Sequence, residues 1–186
     1  VRPGGGKFKG ASYERAAGKE LSNWLTYSAR GDIFTRNVLS GGKFTNSLQA
    51  GRKEGIPGDL MAAHPIAYDF LSHFLVECKH YANLNFEAFL FDRKRKSFLW
   101  TVLSHTKEQA LHAELEWIIV AKQNRRPSLV LLDPKIAALA MRAMTTVKGL
   151  TYHVVHNRAC GIMDLDNFLK ADPKKFMASV KGFRHG

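Results

Sequence analysis

The sequence predicts a mixed α/β domain, and three observations carry that expectation: helical and strand-like segments alternate, no internal repeat interrupts them, and the composition is that of a packed globule. Of 186 residues, 45% are apolar and 24% charged, a balance that supports a sizeable core and excludes a disordered chain. The length suits one domain over residues 1–186, with a core over 7–133 and a basic C-terminal extension over 134–186 packed on it.

The elements follow in order. Ala11 to Ala29 is helical, because Ala16, Ala17, Leu21, Trp24, Leu25 and Ser28 recur at helical spacing, and Gly31 stops it. Ile33 to Leu39 has strand composition, and Ser40 through Gly55 is a polar, glycine-punctuated loop of a functional kind. Ile56-Pro57-Gly58 leads into a short apolar strand, Leu60 to Ala63, which His64-Pro65 breaks. Phe74 to Lys79 is a further strand, followed by helix formers over Asn83 to Phe91 and Ser97 to Glu114. Trp117 to Ala121 and Ser128 to Leu132 are strands joined by the turn Gln123 to Pro127. Ile136 to Met144 is a helix, Tyr152 to Val155 a strand, and Leu165 to Leu169 a short terminal helix. Trp24, Trp100 and Trp117 recur within apolar segments and belong to the core.

Charge narrows the function. With 28 Lys and Arg against 16 Asp and Glu the net charge is +12, which points to a polyanionic partner, nucleic acid before an anionic membrane. The surplus is segregated: residues 1–55 carry ten basic and four acidic side chains, 56–133 nine of each, and 134–186 nine and three. Two basic flanks around a neutral middle are how a groove for a phosphate backbone would be built; simple solvation of helices and tails is the alternative. No stretch approaches the ~20 apolar residues of a spanning helix, and Val1 to Lys9 lacks a signal-type apolar segment. Cys78 and Cys160 cannot make a disulfide framework or a four-cysteine zinc site. The expected setting is therefore cytoplasmic, in contact with DNA.

The chemistry-bearing residues sit on the two short strands. Asp59 stands at the mouth of one, and Glu77-Cys78-Lys79 closes the other, with Glu77 and Lys79 on one face and Cys78 on the opposite one. If the strands pair, two carboxylates and an ammonium share a site, an arrangement that a divalent cation would explain. Mg²⁺ takes one or two carboxylates and keeps waters for a phosphate substrate. Lys79 would orient or deprotonate the attacking water and stabilise the charged transition state.

Asp59, then Glu77-x-Lys79, preceded by a helix bearing Glu14, resembles the PD-(D/E)xK nuclease superfamily, with the usual Pro-Asp pair present as Pro57-Gly58-Asp59. Within it, Lys9-Gly10-Ala11-Ser12-Tyr13-Glu14-Arg15 and Ser40-Gly41-Gly42 are similar to the helix start and the flexible loop of archaeal-type Holliday junction resolvases, over roughly residues 7 to 80. The resemblance implies a restriction-endonuclease-like fold, a mixed central sheet flanked by helices. It also implies a Mg²⁺-dependent endonuclease, with Mn²⁺ substituting, that acts as a homodimer on branched or four-way DNA. On this resemblance Glu14, Asp59 and Glu77, with Cys78 between the motif residues, serve the metal site and Lys79 is catalytic. A restriction, repair or phage replication nuclease, or a non-catalytic DNA-binding module, fits the same motif. The segment His64 to Phe74 and the 107 residues beyond Lys79 depart from a minimal resolvase.

Other readings of these residues stay open. Glu14 in a first helical turn would favour the helix dipole whatever the function, Glu77 and Lys79 could be a cross-strand ion pair, and Asp59 a turn residue. Lys7, Lys9, Arg15, Ser40, Gly41, Gly42, Lys43, Arg52 and Lys53 are the candidate DNA contacts. Arg93-Lys94-Arg95-Lys96 is either a grip on DNA or a solvated turn. Of the histidines, His80 is the one expected near substrate.

Overall fold

The computed structural model describes residues 5–37, 57–91, 96–144 and 160–184. Its first helix, α1 (Gly5–Leu25), is followed by a two-stranded antiparallel ribbon of β1 (Phe34–Arg36) and β2 (Leu60–Ala62). Then come α2 (Pro65–Leu71), β3 (Phe74–Tyr81), α3 (Phe86–Phe91), α4 (Phe98–His112), β4 (Glu116–Gln123) and β5 (Ser128–Leu132). The chain closes with α5 (Pro134–Ala143), β6 (Gly161–Asp164), α6 (Leu165–Phe168) and α7 (Pro173–Arg184). The main sheet has the order β3-β4-β5-β6, with β3 and β4 parallel and the other pairs antiparallel. Parallel neighbours require a long crossover, which α3 and α4 supply.

Alternation along the strands divides the core in two. Phe74, Val76, Cys78, Ile118, Val120, Val130, Leu132 and Met163 face a layer built from α1, α2, α5, α6 and α7. Leu75, Trp117, Ile119, Ala121, Leu131 and Ile162 face α3 and α4 through Phe89, Leu99, Trp100 and Leu103. The result is the expected mixed sheet flanked by helices. Its first layer is aromatic: Phe70 lies 4.9 Å from Phe74, and Phe74 stacks on Phe176 at 5.7 Å. Trp24 sits 5.0 Å from Phe168 and donates its indole N–H to the Ala171 carbonyl at 2.7 Å. All three tryptophans are buried.

Several boundaries differ from the sequence expectation, each for a local reason. α1 begins before Ala11 and ends at Leu25, short of Ala29, because Tyr27 and Ser28 adopt left-handed φ values of 52° and 67°. Glu14 is therefore mid-helix and cannot act on the dipole at the first turn, as the sequence had led us to expect. His64-Pro65 ends β2 and also starts α2, His64 capping through its ring nitrogen and Pro65 occupying the first turn. Asp133-Pro134 likewise starts α5, with the Asp133 carboxylate accepting from the Lys135 N–H.

Residues past Asp133 supply a strand of the sheet and, through Phe168, Phe176 and Val180, part of the first core layer. The helix over Leu165–Phe168 is not terminal; α7 follows it. The strand expected over Tyr152 to Val155 lies outside the described residues.

Candidate active site

The site forms where the β1–β2 ribbon meets the edge of the main sheet. Ser22 anchors the ribbon: wholly buried, it donates to the Gly18 carbonyl at 2.7 Å and accepts the Phe34 N–H at 3.2 Å, tying β1 to α1. Just before β2 the chain crosses onto β3, and the Asp59 N–H donates to the Val76 carbonyl at 2.7 Å. That approach requires glycine at 58. Its φ is +87°, and a Cβ there would lie 2.8 Å from the Val76 carbonyl oxygen and 3.1 Å from its nitrogen. The residue separating Pro57 from Asp59 is thus one that the backbone demands.

Asp59 is held from three sides. Its carbonyl accepts the Asn37 N–H at 2.8 Å, its Oδ2 accepts the Cys78 N–H at 2.8 Å, and the Lys79 Nζ lies 3.3 Å from the same oxygen. Asn37, wholly buried, also donates its side-chain amide to the Gly58 carbonyl at 2.9 Å. Sequence reasoning passed over Asn37; an amide inside the strand candidate Ile33 to Leu39 was the available signal.

Lys79 bridges the two carboxylates, donating also to Glu77 Oε1. The side chains of Asp59, Glu77 and Lys79 are 8%, 17% and 22% exposed, so the cluster is sheltered yet open to a ligand on one side. Burial, then the Asp59 charge, pushes the Glu77 carboxyl up to about 7, against the opposing pull of Lys79; Glu14 adds to the rise. Burial opposes protonation of Lys79, but Glu77 and Asp59 outweigh it and the ammonium is held more firmly than usual.

Glu14 contributes its field from α1 and is ion-paired with Arg36 of β1. Of Cys78 only the main chain reaches the site: its thiol is in the core, and burial, then the Asp59 charge, keeps it protonated. His80 lies on the α1 side of β3, its ring 5.2 Å from that of Tyr13 and its Nε2 3.0 Å from Asn124 Oδ1, and so faces away from Lys79.

Arg15 is exposed on α1. The side chains of Lys7 and Lys9, and all of Ser40, Gly41, Gly42, Lys43, Arg52, Lys53 and Arg93 to Arg95, lie outside the described residues.

Among the described residues, no three His, Cys, Asp or Glu side chains are grouped closely enough to form a metal cage. Two carboxylates converging on one cation nevertheless fit a hard ion of the Mg²⁺ kind, which needs only one or two protein carboxylates. The raised Glu77 carboxyl is compatible with such an ion, since burial first and the Asp59 charge second disfavour its anionic form and a bound cation would offset both.

A mixed sheet between helical layers, with Glu-x-Lys on its edge strand and an Asp brought against that strand from the mouth of a separate ribbon, defines the class as a PD-(D/E)xK nuclease fold. The family model described as "Phage putative PDDEXK endonuclease" matches residues 5–178, and the chain belongs to that family. No curated protein and no solved structure matches it significantly. No helix among the described residues is long and apolar enough to cross a membrane.

Proposed function

We propose that this protein is a Mg²⁺-dependent DNA endonuclease, with Mn²⁺ able to substitute, that hydrolyses phosphodiester bonds in branched DNA, the four-way junction first among them. The observation that carries this reading is the single ammonium of Lys79 bonded to both Asp59 and Glu77 at a sheltered sheet edge, in a chain of a nuclease family. Asp59 and Glu77 would hold the cation, with Glu14 tuning the charge around them. The bound ion supplies Lewis acidity toward the phosphate and a more acidic water.

The chain's own residues do the rest. The Cys78 N–H and the Asn37 contacts fix Asp59 in place, so that little reorganisation is needed at the moment of reaction. Lys79, kept protonated by its two carboxylates, serves as a hydrogen-bond donor to the phosphate oxygens and not as the base. In the reaction a water oxygen bonds to phosphorus, the bond from phosphorus to the 3′ oxygen breaks, and that oxygen leaves with a proton. The products are a 5′-phosphate and a 3′-hydroxyl.

Junction preference rests on the likeness of the Lys9 to Arg15 and Ser40-Gly41-Gly42 segments to resolvases, and symmetric cutting of a four-way substrate would call for a two-fold homodimer. Incubation of the protein with a synthetic junction and the matching linear duplex, at one salt concentration and with Mg²⁺, tests both parts. Cleavage of the junction alone supports the full reading, equal rates remove the junction preference, and undiminished cleavage by Lys79→Ala removes the mechanism.

A further inference from the structure

Alternation continues past the proposed catalytic pair: Glu77, Lys79 and Tyr81 share one face of β3. Tyr81 therefore stands about 7 Å beyond Lys79 along the strand, near one nucleotide step of an extended chain. It is 42% exposed and packs edge-on against Phe98, 48% exposed, with ring centroids 4.7 Å apart. Two large rings open to solvent beside a polar site are costly to leave uncovered. We propose that the Tyr81–Phe98 pair is a stacking platform for an unpaired nucleobase adjoining the phosphate to be cut.

Three further observations favour a nucleobase as the occupant. Phe98 opens α4 two residues after Lys96, the last of the basic sequence Arg93-Lys94-Arg95-Lys96, and exposed aromatics among basic residues are the composition that holds single-stranded nucleic acid, rings stacking on bases while cations meet phosphates. Lys96 itself is exposed. The parallel register places Gln123 beside Tyr81 on the same face, and Gln123 lines a hollow of about 470 Å³ with Asn83, Phe86 and Arg126. Amide and guanidinium groups around an aromatic ring offer hydrogen bonds to the edge of a base tipped off the platform. A second copy of the chain is disfavoured as the occupant of this patch because a two-fold contact here would set the exposed Lys96 and Arg126 against cations of their own kind.

This inference deepens the nuclease reading by naming the feature of the substrate that the site selects: a nucleotide without a partner next to the scissile bond. It is tested on the full chain in Ca²⁺, using a fluorescein-labelled duplex and the same duplex interrupted by a short unpaired thymine stretch. Tyr81→Ala should weaken binding of the interrupted duplex by about tenfold and leave the continuous duplex within about twofold. Tyr81→Trp should restore it, and a fluorescent purine in the unpaired stretch should be quenched by the wild type and not by Tyr81→Ala. Equal losses on both duplexes, or none, overturn the platform. A change in sedimentation on Tyr81→Ala without DNA overturns it in favour of self-association. If the platform effects hold while Mg²⁺ produces no cleavage of any DNA, the nuclease reading falls and the platform stands; if cleavage proceeds and Tyr81→Ala cuts the interrupted duplex at the wild-type rate, the reverse follows.

Discussion

The two faces of β3 are made from adjacent residues and have opposite occupations. Phe74, Val76 and Cys78 face the aromatic layer and are buried throughout. On the other face Leu75 is buried, Glu77 and Lys79 are half-buried, and Tyr81 is exposed, so that side grades from core to chemistry within eight residues. One strand thus anchors the fold with its even positions and presents the site with its odd ones. The difference shows how a charged cluster is kept rigid: the main chain it hangs from is fixed by apolar packing on the reverse side.

Five substitutions test that division, beginning with the largest effect. Asp59→Asn and Lys79→Ala should each lower cleavage by about a thousandfold or more; the urea denaturation midpoint should move little for Asp59→Asn and fall for Lys79→Ala, which leaves two sheltered carboxylates without their cation. Phe74→Ala should do the opposite. It removes a ring shared by Phe70 and Phe176 and should cost about 3–5 kcal/mol of stability, with activity per folded molecule retained in a cold assay.

Gly58→Ala sits between the faces. The left-handed backbone and the clash with Val76 should cost about 1–3 kcal/mol and also lower cleavage, since Asp59 moves with the turn. Retained activity with lost stability would show that the aspartate is positioned independently of that turn.

Glu77→Gln changes stability by an amount that depends on pH. The carboxyl is raised from 4.5 to about 7 in the folded chain, so the fold holds this proton more tightly than the unfolded chain does. The associated stability is full below the ordinary carboxylate range and is lost as pH rises through the folded value. Removing the ionisable group should therefore stabilise the cation-free protein by roughly 1–3 kcal/mol near about pH 8 and hardly at all near about pH 4, while cleavage is lost. Thermal unfolding with and without Mg²⁺ reads both effects, because the cation should reverse the advantage in favour of the native glutamate.

Much of this was legible in the sequence because the signals were strong and local. Asp59, Glu77 and Lys79 are brought together, but not by the strand pairing that the sequence suggested: β2 pairs with β1 in a separate ribbon, and the main-chain bond from Asp59 to Val76 ties it to β3; β5 spans the expected Ser128–Leu132. What escaped depended on partners distant in the chain. β6 has four residues and is a strand because β5 pairs with it. α7 hides Phe176, Met177 and Val180 among lysines, although Asp172-Pro173 carries the same start signal as Asp133-Pro134. The beginning of α1 was obscured by glycines, whose low helix propensity is overridden here. Glu14 was found as a residue, but its pairing with Arg36 needed the ribbon fold that brings β1 to α1.

The late arrival of β6 also bears on synthesis. Until residues 161–164 emerge, β5 has a free edge, with Val130, Leu131 and Leu132 beside it and the seats of Phe168 and Phe176 unfilled. An open, apolar edge is a template for pairing with another chain. A nascent or proteolysed product ending after Asp133 is thus a candidate for aggregation, and the basic tail segment acts as the fold's own late-binding protector, closing the sheet from the far end of the chain.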